Sequence, residues 1–145
     1  MRRGCVLTIT ILSAIVLVIS ILFWLFKWPE LKKTETSKFA YLIEDALEQY
    51  KSDQKRYPPA ADIAAALYGE NERQKRYLAG LESIVRDGEF TDMWENPFRV
   101  ELPAEGVEGK AKLTSAGPDG EFGNDDDITS QLILDTVAKP GAKPE

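Results

Sequence analysis

The sequence predicts an α+β fold in which a long N-terminal helix packs on a small antiparallel β-sheet. Three patterns predict it: an apolar run over 5–26, helical spacing of apolar residues over 34–52, and apolar-polar alternation over 98–102. The first half of the helix should span a membrane and the second half should be amphipathic. We expect an anchor at 1–28, one globular domain at 29–137 and a disordered tail at 138–145, where Pro, Gly, Lys and Ala dominate without periodicity.

The anchor is predicted by the stretch from Cys5 to Phe26, which contains no charged residue, no Pro and no Gly. At a rise of about 1.5 Å per residue it covers roughly 33 Å, enough for a hydrocarbon core of about 30 Å. A cleaved secretory signal is the alternative, but its apolar region is shorter and ends in small residues. Here the run ends in aromatic residues, and Trp24, Lys27 and Trp28 are expected at the lipid headgroups. The very short basic segment before the run favours a head outside the cytoplasm.

Composition excludes several classes of function. The 145 residues include 18 basic and 24 acidic residues, for a net charge of −6, so a nucleic-acid partner is not expected. The chain has no His, and its only Cys, Cys5, sits at the predicted membrane boundary, which removes an imidazole base, a Cys-His pair and the usual nitrogen and sulfur zinc sites. A carboxylate pair of the glycosidase kind has no supporting cleft pattern. We therefore expect neither an enzyme nor a small-molecule substrate.

The segment from Thr34 to Ser52 is predicted to be an amphipathic helix that packs on the domain's own sheet. It is too short for a stable coiled coil, because only two heptads are available. The residues predicted to be buried recur at helical spacing and are Phe39, Leu42, Ile43, Ala46, Leu47 and Tyr50. The residues predicted to face solvent are Lys38, Glu44, Asp45, Glu48 and Lys51.

The remaining elements are shorter. Residues 62–68 predict a short helix closed by a glycine, and residues 77–85 predict either a short helix or irregular structure. Residues 98–102 and 110–114 are predicted to pair as strands, with a weaker third strand at 128–134. We expect Trp94 in the core between helix and sheet, and Asp92 in a cap or a turn.

An acidic loop near the C-terminus is the candidate functional site. Five carboxylates fall within nine residues, and no Lys or Arg occurs between Lys112 and Lys139; the five are Asp119, Glu121, Asp125, Asp126 and Asp127. Such charges repel one another, and a calcium ion, which prefers six to eight oxygen ligands, would remove that repulsion. Glycines at 117, 120 and 123 allow a tight wrap. The alternative is a solvated acidic hairpin that binds no ion.

Several motifs in order resemble the protein G family of type II secretion systems, the major pseudopilins, within the type IV pilin-like superfamily. After the apolar helix come Leu47-Glu48-Gln49-Tyr50, Arg56-Tyr57-Pro58, Asp92-Met93-Trp94-Glu95-Asn96-Pro97-Phe98, and a Ser-x-Gly-x-Asp-Gly loop that ends in Asp125-Asp126-Asp127-Ile128. The resemblance covers nearly the whole chain. It implies a subunit of a short periplasmic filament, anchored in the bacterial inner membrane and associated with copies of itself or with other pseudopilins.

The resemblance also implies calcium in the loop. Carried over by position, the ligands are Asp119, Asp125 and Asp127, with Asp126, Ser115 and a backbone carbonyl near Leu113 contributing. In the family this ion orders the end of the small sheet.

The chain departs from the family pattern at two places, the N-terminal segment and the motif at 92–98. Family members carry a basic leader, a Gly at the cleavage point, an aromatic residue after it, and a Glu that pairs with a neighbour's amino terminus. Here Gly4 and Cys5 would flank the cleavage point, with Cys5 at the aromatic position and Ile9 at the glutamate position. Ile9 favours the alternative function, a free-standing membrane-anchored calcium-binding domain that does not polymerise. In the second departure, Glu95 stands where the family usually has Gly, and Met93 where it has Pro.

Overall fold

The computed structural model describes residues 2–104 and 107–138. Its helices are α1 (Arg2–Phe26), α2 (Trp28–Gln54), α3 (Ile63–Leu67) and α4 (Gln131–Ala138), and its strands are β1 (Val85–Arg86), β2 (Glu89–Phe90), β3 (Arg99–Glu101), β4 (Lys112–Ser115) and β5 (Ile128–Thr129). The chain divides into two compact units, Met1–Lys32 and Lys33–Glu145. The tail predicted at 138–145 lies outside the described residues from 139 onward.

Helix α1 contains the predicted anchor, including its limits at Cys5 and Phe26 and the predicted junction between Gly4 and Cys5. The continuous helical stretch Leu12–Gln54 contains a segment long and apolar enough to cross a membrane, and the apolar side chains described at 12–24 are exposed. The Ser20 hydroxyl donates to the Val16 carbonyl at 2.8 Å, so this polar group is satisfied within the helix. By length and composition α1 is a candidate membrane-spanning helix.

Helix α2 confirms the predicted amphipathic segment and extends it at both ends. Pro29 lies in the first turn, where its missing N–H has no intrahelical partner to lose. The buried apolar face is formed by Ala40, Ile43, Ala46, Leu47 and Tyr50. The prediction for Leu42 was wrong, because its side chain is 39 % exposed and lies at the border of this face.

The core of the second unit lies between α2, α3 and the sheets. Helix α3 confirms the short helix predicted at 62–68, and Leu67 at its end is fully buried beside α2 residues of the same cluster. Tyr68 and Phe90 place their ring centroids 6.1 Å apart, which joins the end of α3 to β2. Residues 77–85 are mostly irregular, with a 3₁₀ turn at Glu82–Ile84.

A two-stranded hairpin, β1 paired with β2, was not predicted. Its turn is Asp87-Gly88, with φ of +52° and +86°, and the two flanking residues Arg86 and Glu89 are paired. Asp-Gly at the centre of a two-residue turn is a strong hairpin signal because both positions need positive φ. The signal was present in the sequence, but the strands on each side are only two residues long.

The second sheet has the order β3-β4-β5 and is antiparallel throughout. Its β3–β4 pairing confirms the predicted hairpin, with Val100 opposite Leu113. The predicted third strand is two residues long, and the chain continues as α4 instead. Two hydroxyl oxygens accept hydrogen bonds from N–H groups in the first turn of that helix. Thr129 Oγ1 accepts from Gln131 at 3.3 Å, and Ser37 Oγ accepts from Ile133 at 3.2 Å. Capping of this kind favours a helix over an extended strand.

Two glutamates of α2 bind backbone N–H groups on the side of β4 that the short strand β5 leaves unpaired. Glu44 Oε1 accepts from the Leu113 N–H at 2.7 Å, and Glu48 Oε1 accepts from the Ala111 N–H at 3.0 Å. Residues four apart on a helix are separated by about 6 Å and residues two apart on a strand by about 6.8 Å, so the two spacings match. The prediction that both glutamates face solvent was therefore wrong, because each binds backbone of the sheet.

Tyr57 joins this contact. Its hydroxyl donates to Glu48 Oε1 and accepts from the Ala111 N–H at 3.1 Å. Partial burial, followed by the hydrogen bond to the Glu48 carboxylate, raises the pKa of Tyr57 to about 12. The tyrosine-proline step therefore fixes the end of α2 against the start of β4.

Candidate functional site

The acidic loop connects β4 to β5 and begins with a 3₁₀ turn at Gly117–Asp119. Its glycines at 117, 120 and 123 have φ of +66°, +73° and +98°. At Gly117 a side chain would also collide with backbone, since a Cβ there would lie 2.3 Å from the Asp126 carbonyl oxygen. The two ends of the loop therefore approach each other at this glycine.

Asp119 is held by donors within the loop. Its Oδ1 accepts from the Glu121 N–H at 2.9 Å, and its Oδ2 accepts from the Asn124 side-chain amide at 2.7 Å. Asn124 Oδ1 in turn accepts from the Asp126 N–H at 2.8 Å. The Asn124 side chain thus links the first carboxylate of the loop to the acidic run at its end, Asp125-Asp126-Asp127.

The acidic run contains an unsatisfied oxygen. Asp127 Oδ2 accepts from the Gly123 N–H at 2.9 Å, whereas Asp127 Oδ1 is buried and has no hydrogen-bond partner among the described residues. Buried oxygens without a protein partner are uncommon, and binding of an ion or a water is one of the usual reasons for them. Asp125 is exposed and Asp126 is half-buried.

Two predicted ligands lie on the inner side of the loop. The Ser115 hydroxyl is fully buried, donates to Asp92 Oδ2 at 2.5 Å and accepts from the Gly117 N–H at 3.0 Å. Leu113 is fully buried in β4, and its N–H binds Glu44. The Ser115 side chain is therefore already engaged within the protein, on the side of Asp92.

Within residues 2–104 and 107–138, no three acidic, Cys or His side chains gather closely enough to form a metal-binding group. The loop is nevertheless chemically suited to a hard cation, since it concentrates carboxylates and carbonyls and contains the unpaired Asp127 oxygen. An ion here would need backbone carbonyls in addition to the carboxylates.

A turn at residues 92–96, which was not predicted as part of the site, is hydrogen-bonded to the start of the loop. Asp92 is 3 % exposed and its Oδ1 accepts from the N–H groups of Trp94 at 2.8 Å and Asn96 at 2.9 Å, which confirms a turn at this position. Asn96 Nδ2 donates to the Gly117 carbonyl at 2.8 Å. The sequence signal was an aspartate followed four residues later by Asn-Pro, a turn-forming arrangement.

Two further residues of this turn are Trp94, whose predicted burial can be checked, and Glu95, which stands where the family usually has Gly. Trp94 is only half-buried and lies outside the core cluster, so its predicted place between helix and sheet was wrong. Glu95 has φ of +69°, in the left-handed region that favours glycine, at the position where the resembling family usually has Gly.

An aromatic contact holds the outer part of the loop. The Arg99 guanidinium carbon lies 3.8 Å from the centroid of the Phe122 ring, in a cation–π arrangement. Arg99 belongs to β3, so this pair holds the loop to the sheet, whereas Asn96 holds it to the 92–96 turn.

Comparison with known proteins places this arrangement in a family. The family described as "Type II secretion system (T2SS), protein G" matches residues 30–131. The chain belongs to this family. The match includes the amphipathic helix, the 92–96 turn and the acidic loop, whereas Gly4, Cys5 and Ile9 precede the matched residues.

Relatives in the protein G family are similar over the same part of the chain. A type II secretion system core protein G of Aeromonas hydrophila is 36 % identical over 98 residues, which is 64 % of each chain. One from Escherichia coli K12 is 34 % identical over 96 residues, which is 61 % of this chain and 59 % of that one. The aligned part thus spans less than two thirds of the length of either relative.

The fold is also that of a solved pseudopilin. The crystal structure of the major pseudopilin from the type 2 secretion system of enterohaemorrhagic Escherichia coli matches with a TM-score of 0.52 and 22 % identity. The match covers 74 % of this chain and 88 % of that one. The predicted α+β architecture of a long N-terminal helix and small antiparallel sheets is therefore confirmed.

Proposed function

We propose that this protein is a structural, non-enzymatic pseudopilin subunit of a type II secretion system. Its partners are the membrane and further pseudopilins, including copies of itself. The observation that carries the proposal is membership of the protein G family over residues 30–131 in a chain that also contains the candidate membrane-spanning helix α1. Helix α1 anchors the chain in the bacterial inner membrane, and the short basic segment before it favours a head on the periplasmic side.

An open cleft near the end of α2 does not argue for catalysis. The cleft has a volume of about 810 Å³ and includes Arg56, Asp62 and Glu72 in its lining. Arg56 and Glu72 pair with each other at 2.5 Å, and both are well exposed. Exposed ion pairs of this kind are common on protein surfaces and contribute little, so this pair does not indicate an active site.

We expect neighbouring α1 helices to crosslink in cells that contain the secretion system. Two cysteines seven residues apart in the sequence lie on one face of the helix. A neighbouring helix displaced along its axis by the same distance would bring its first cysteine beside the second cysteine of this chain. Four double-cysteine variants, each with Cys5 replaced by Ser, place the pair on different faces of the exposed helix, at 12/19, 15/22, 16/23 and 17/24. On oxidation, at least one of them should give a ladder of oligomers.

Single-cysteine variants are the matched control, because one cysteine can join only two chains. Monomers and dimers alone from every pair would contradict assembly. They would favour the alternative suggested by Ile9, a membrane-anchored domain that does not polymerise.

The second part of the proposal is that calcium stabilises the head. Asp119, Asp125 and Asp127 do not form a metal-binding group in this structure and would have to move together around the ion. A carbonyl near Leu113, Asp126 and the backbone at Ser115 would contribute further oxygens. The buried, unpaired oxygen of Asp127 supports this assignment. A bound calcium ion supplies positive charge that offsets the repulsion among these carboxylates. The chain itself holds the loop in place, because Asn96 binds the Gly117 carbonyl at its start and Asn124 binds Asp119 within it.

Calcium should therefore raise the unfolding temperature of the full-length protein in detergent relative to a chelator. An ion that binds only the native state stabilises it by about 2.7 kcal/mol at a hundredfold excess over its Kd. Asp125→Ala and Asp127→Ala should each abolish most of the difference. Glu121→Ala is the control and should retain it, and equal unfolding temperatures of the unaltered protein in calcium and chelator would refute the calcium site.

A further inference from the structure

Two neighbouring hydroxyl residues of α2, Thr36 and Ser37, are fully buried at 0 % exposure. They lie outside the apolar core cluster and beside the two flanks of the acidic loop. A buried hydroxyl is costly unless it is hydrogen-bonded. Each of these residues has a partner far away in the sequence.

Ser37 holds the end of the loop. Its hydroxyl donates to the Thr129 carbonyl at 2.6 Å and accepts from the Ile133 N–H at 3.2 Å. Thr129 follows the acidic run directly, with only Ile128 between it and Asp127. The hydroxyl therefore fixes the backbone two residues beyond the last carboxylate of the loop.

Thr36 holds the start of the loop through the 92–96 turn. Its Oγ1 accepts from the Met93 N–H at 3.3 Å. The same turn binds Ser115 through Asp92 and the Gly117 carbonyl through Asn96. Adjacent residues on one helical turn thus connect to both ends of the loop.

We propose that Thr36 and Ser37 are positioning residues for the calcium loop, and that calcium binding in turn stabilises the part of α2 around them. This inference rests on the calcium site proposed above. Carboxylates repel one another and favour a spread loop, whereas fixed ends favour the closed loop that an ion needs. Coupling between two sites is reciprocal, so residues that favour ion binding are themselves ordered by the ion.

The test uses the full-length protein in detergent micelles and the variant Ser37→Ala. We expect its calcium Kd to rise about fivefold, the change that corresponds to about 1 kcal/mol for one buried hydrogen bond. In the unaltered protein, calcium should slow hydrogen exchange both at residues 117–127 and at α2 residues 35–41. In Ser37→Ala the calcium effect at 35–41 should be lost.

Ser52→Ala is the matched control, because Ser52 lies on the same helix and is exposed. Its calcium affinity and its exchange pattern should be those of the unaltered protein. Thr36→Val, which keeps the side-chain shape and removes the acceptor, is the second variant if Ser37→Ala does not fold. It should weaken calcium binding in the same direction.

Different failures have different signatures. A variant that is less stable in calcium and in chelator alike, with an unchanged Kd, would overturn the positioning role and leave the calcium site intact. If calcium slowed hydrogen exchange at 117–127 but not at 35–41 in the unaltered protein, the positioning role would likewise be overturned and the calcium site would stand. No calcium protection anywhere would remove the calcium site and this inference together.

Discussion

Replacing Asp92 by Ala should lower the free energy of unfolding by about 3–4 kcal/mol. The carboxylate is nearly fully buried and accepts from three donors: the N–H groups of Trp94 and Asn96 and the hydroxyl of Ser115. Removing it leaves those donors without partners, and each unsatisfied buried group costs about 1–3 kcal/mol. Urea denaturation of the full-length protein in chelator measures the loss without any contribution from calcium.

Asp62→Ala is the control for this prediction, because Asp62 is exposed and its side chain makes no helix-capping bond to α3. It should change the free energy of unfolding by less than about 0.5 kcal/mol. A similar loss in the two variants would mean that the 92–96 turn contributes no more to stability than an ordinary surface position.

The second large effect is expected for Gly117→Ala, which should cost about 3–5 kcal/mol. The new Cβ would lie 2.3 Å from the carbonyl oxygen and 3.0 Å from the carbonyl carbon of Asp126. These are backbone atoms, so the conflict is relieved only by moving one end of the loop away from the other. The positive φ of +66° adds a smaller penalty. Denaturation in chelator again gives the measurement.

Gly123→Ala is the control that distinguishes the steric collision at Gly117 from the strain of a positive φ. Gly123 has a larger φ of +98°, but a Cβ there would meet nothing within 4 Å. It should therefore cost about 1–2 kcal/mol, from backbone strain alone. If the Gly123 variant proved as unstable as the Gly117 variant, the close approach of Gly117 to Asp126 would not be the cause.

The sequence predicted the elements whose cause is local. Apolar periodicity over 34–52 predicts α2, and alternation at Phe98–Leu102 predicts β3 together with its partner β4. The acidic loop was located from its composition, and its glycines do adopt positive φ. In each case the deciding pattern lies within a short segment, which is why it can be read without the fold.

The errors concern contacts between distant segments. Nothing local distinguishes Glu44 and Glu48 from exposed helix residues, because their partners are strand N–H groups more than 60 residues away. The extension of a third strand to Leu134 failed for the same reason, since a hydroxyl from α2 helps to start α4. The support of the loop by Asp92 and Asn96 likewise depends on residues more than 20 positions apart.

The two glutamates bound to backbone at Ala111 and Leu113 bear on whether a strand of another molecule could pair with β4. Unpaired backbone groups along a strand can pair with a strand of another molecule, so that one sheet extends into the next, as in amyloid growth. At Ala111 and Leu113 those backbone donors are already occupied by α2. This stretch of β4 is therefore closed to backbone pairing with a strand of another molecule, and a contact with another chain at Ala111 and Leu113 would have to be made by side chains.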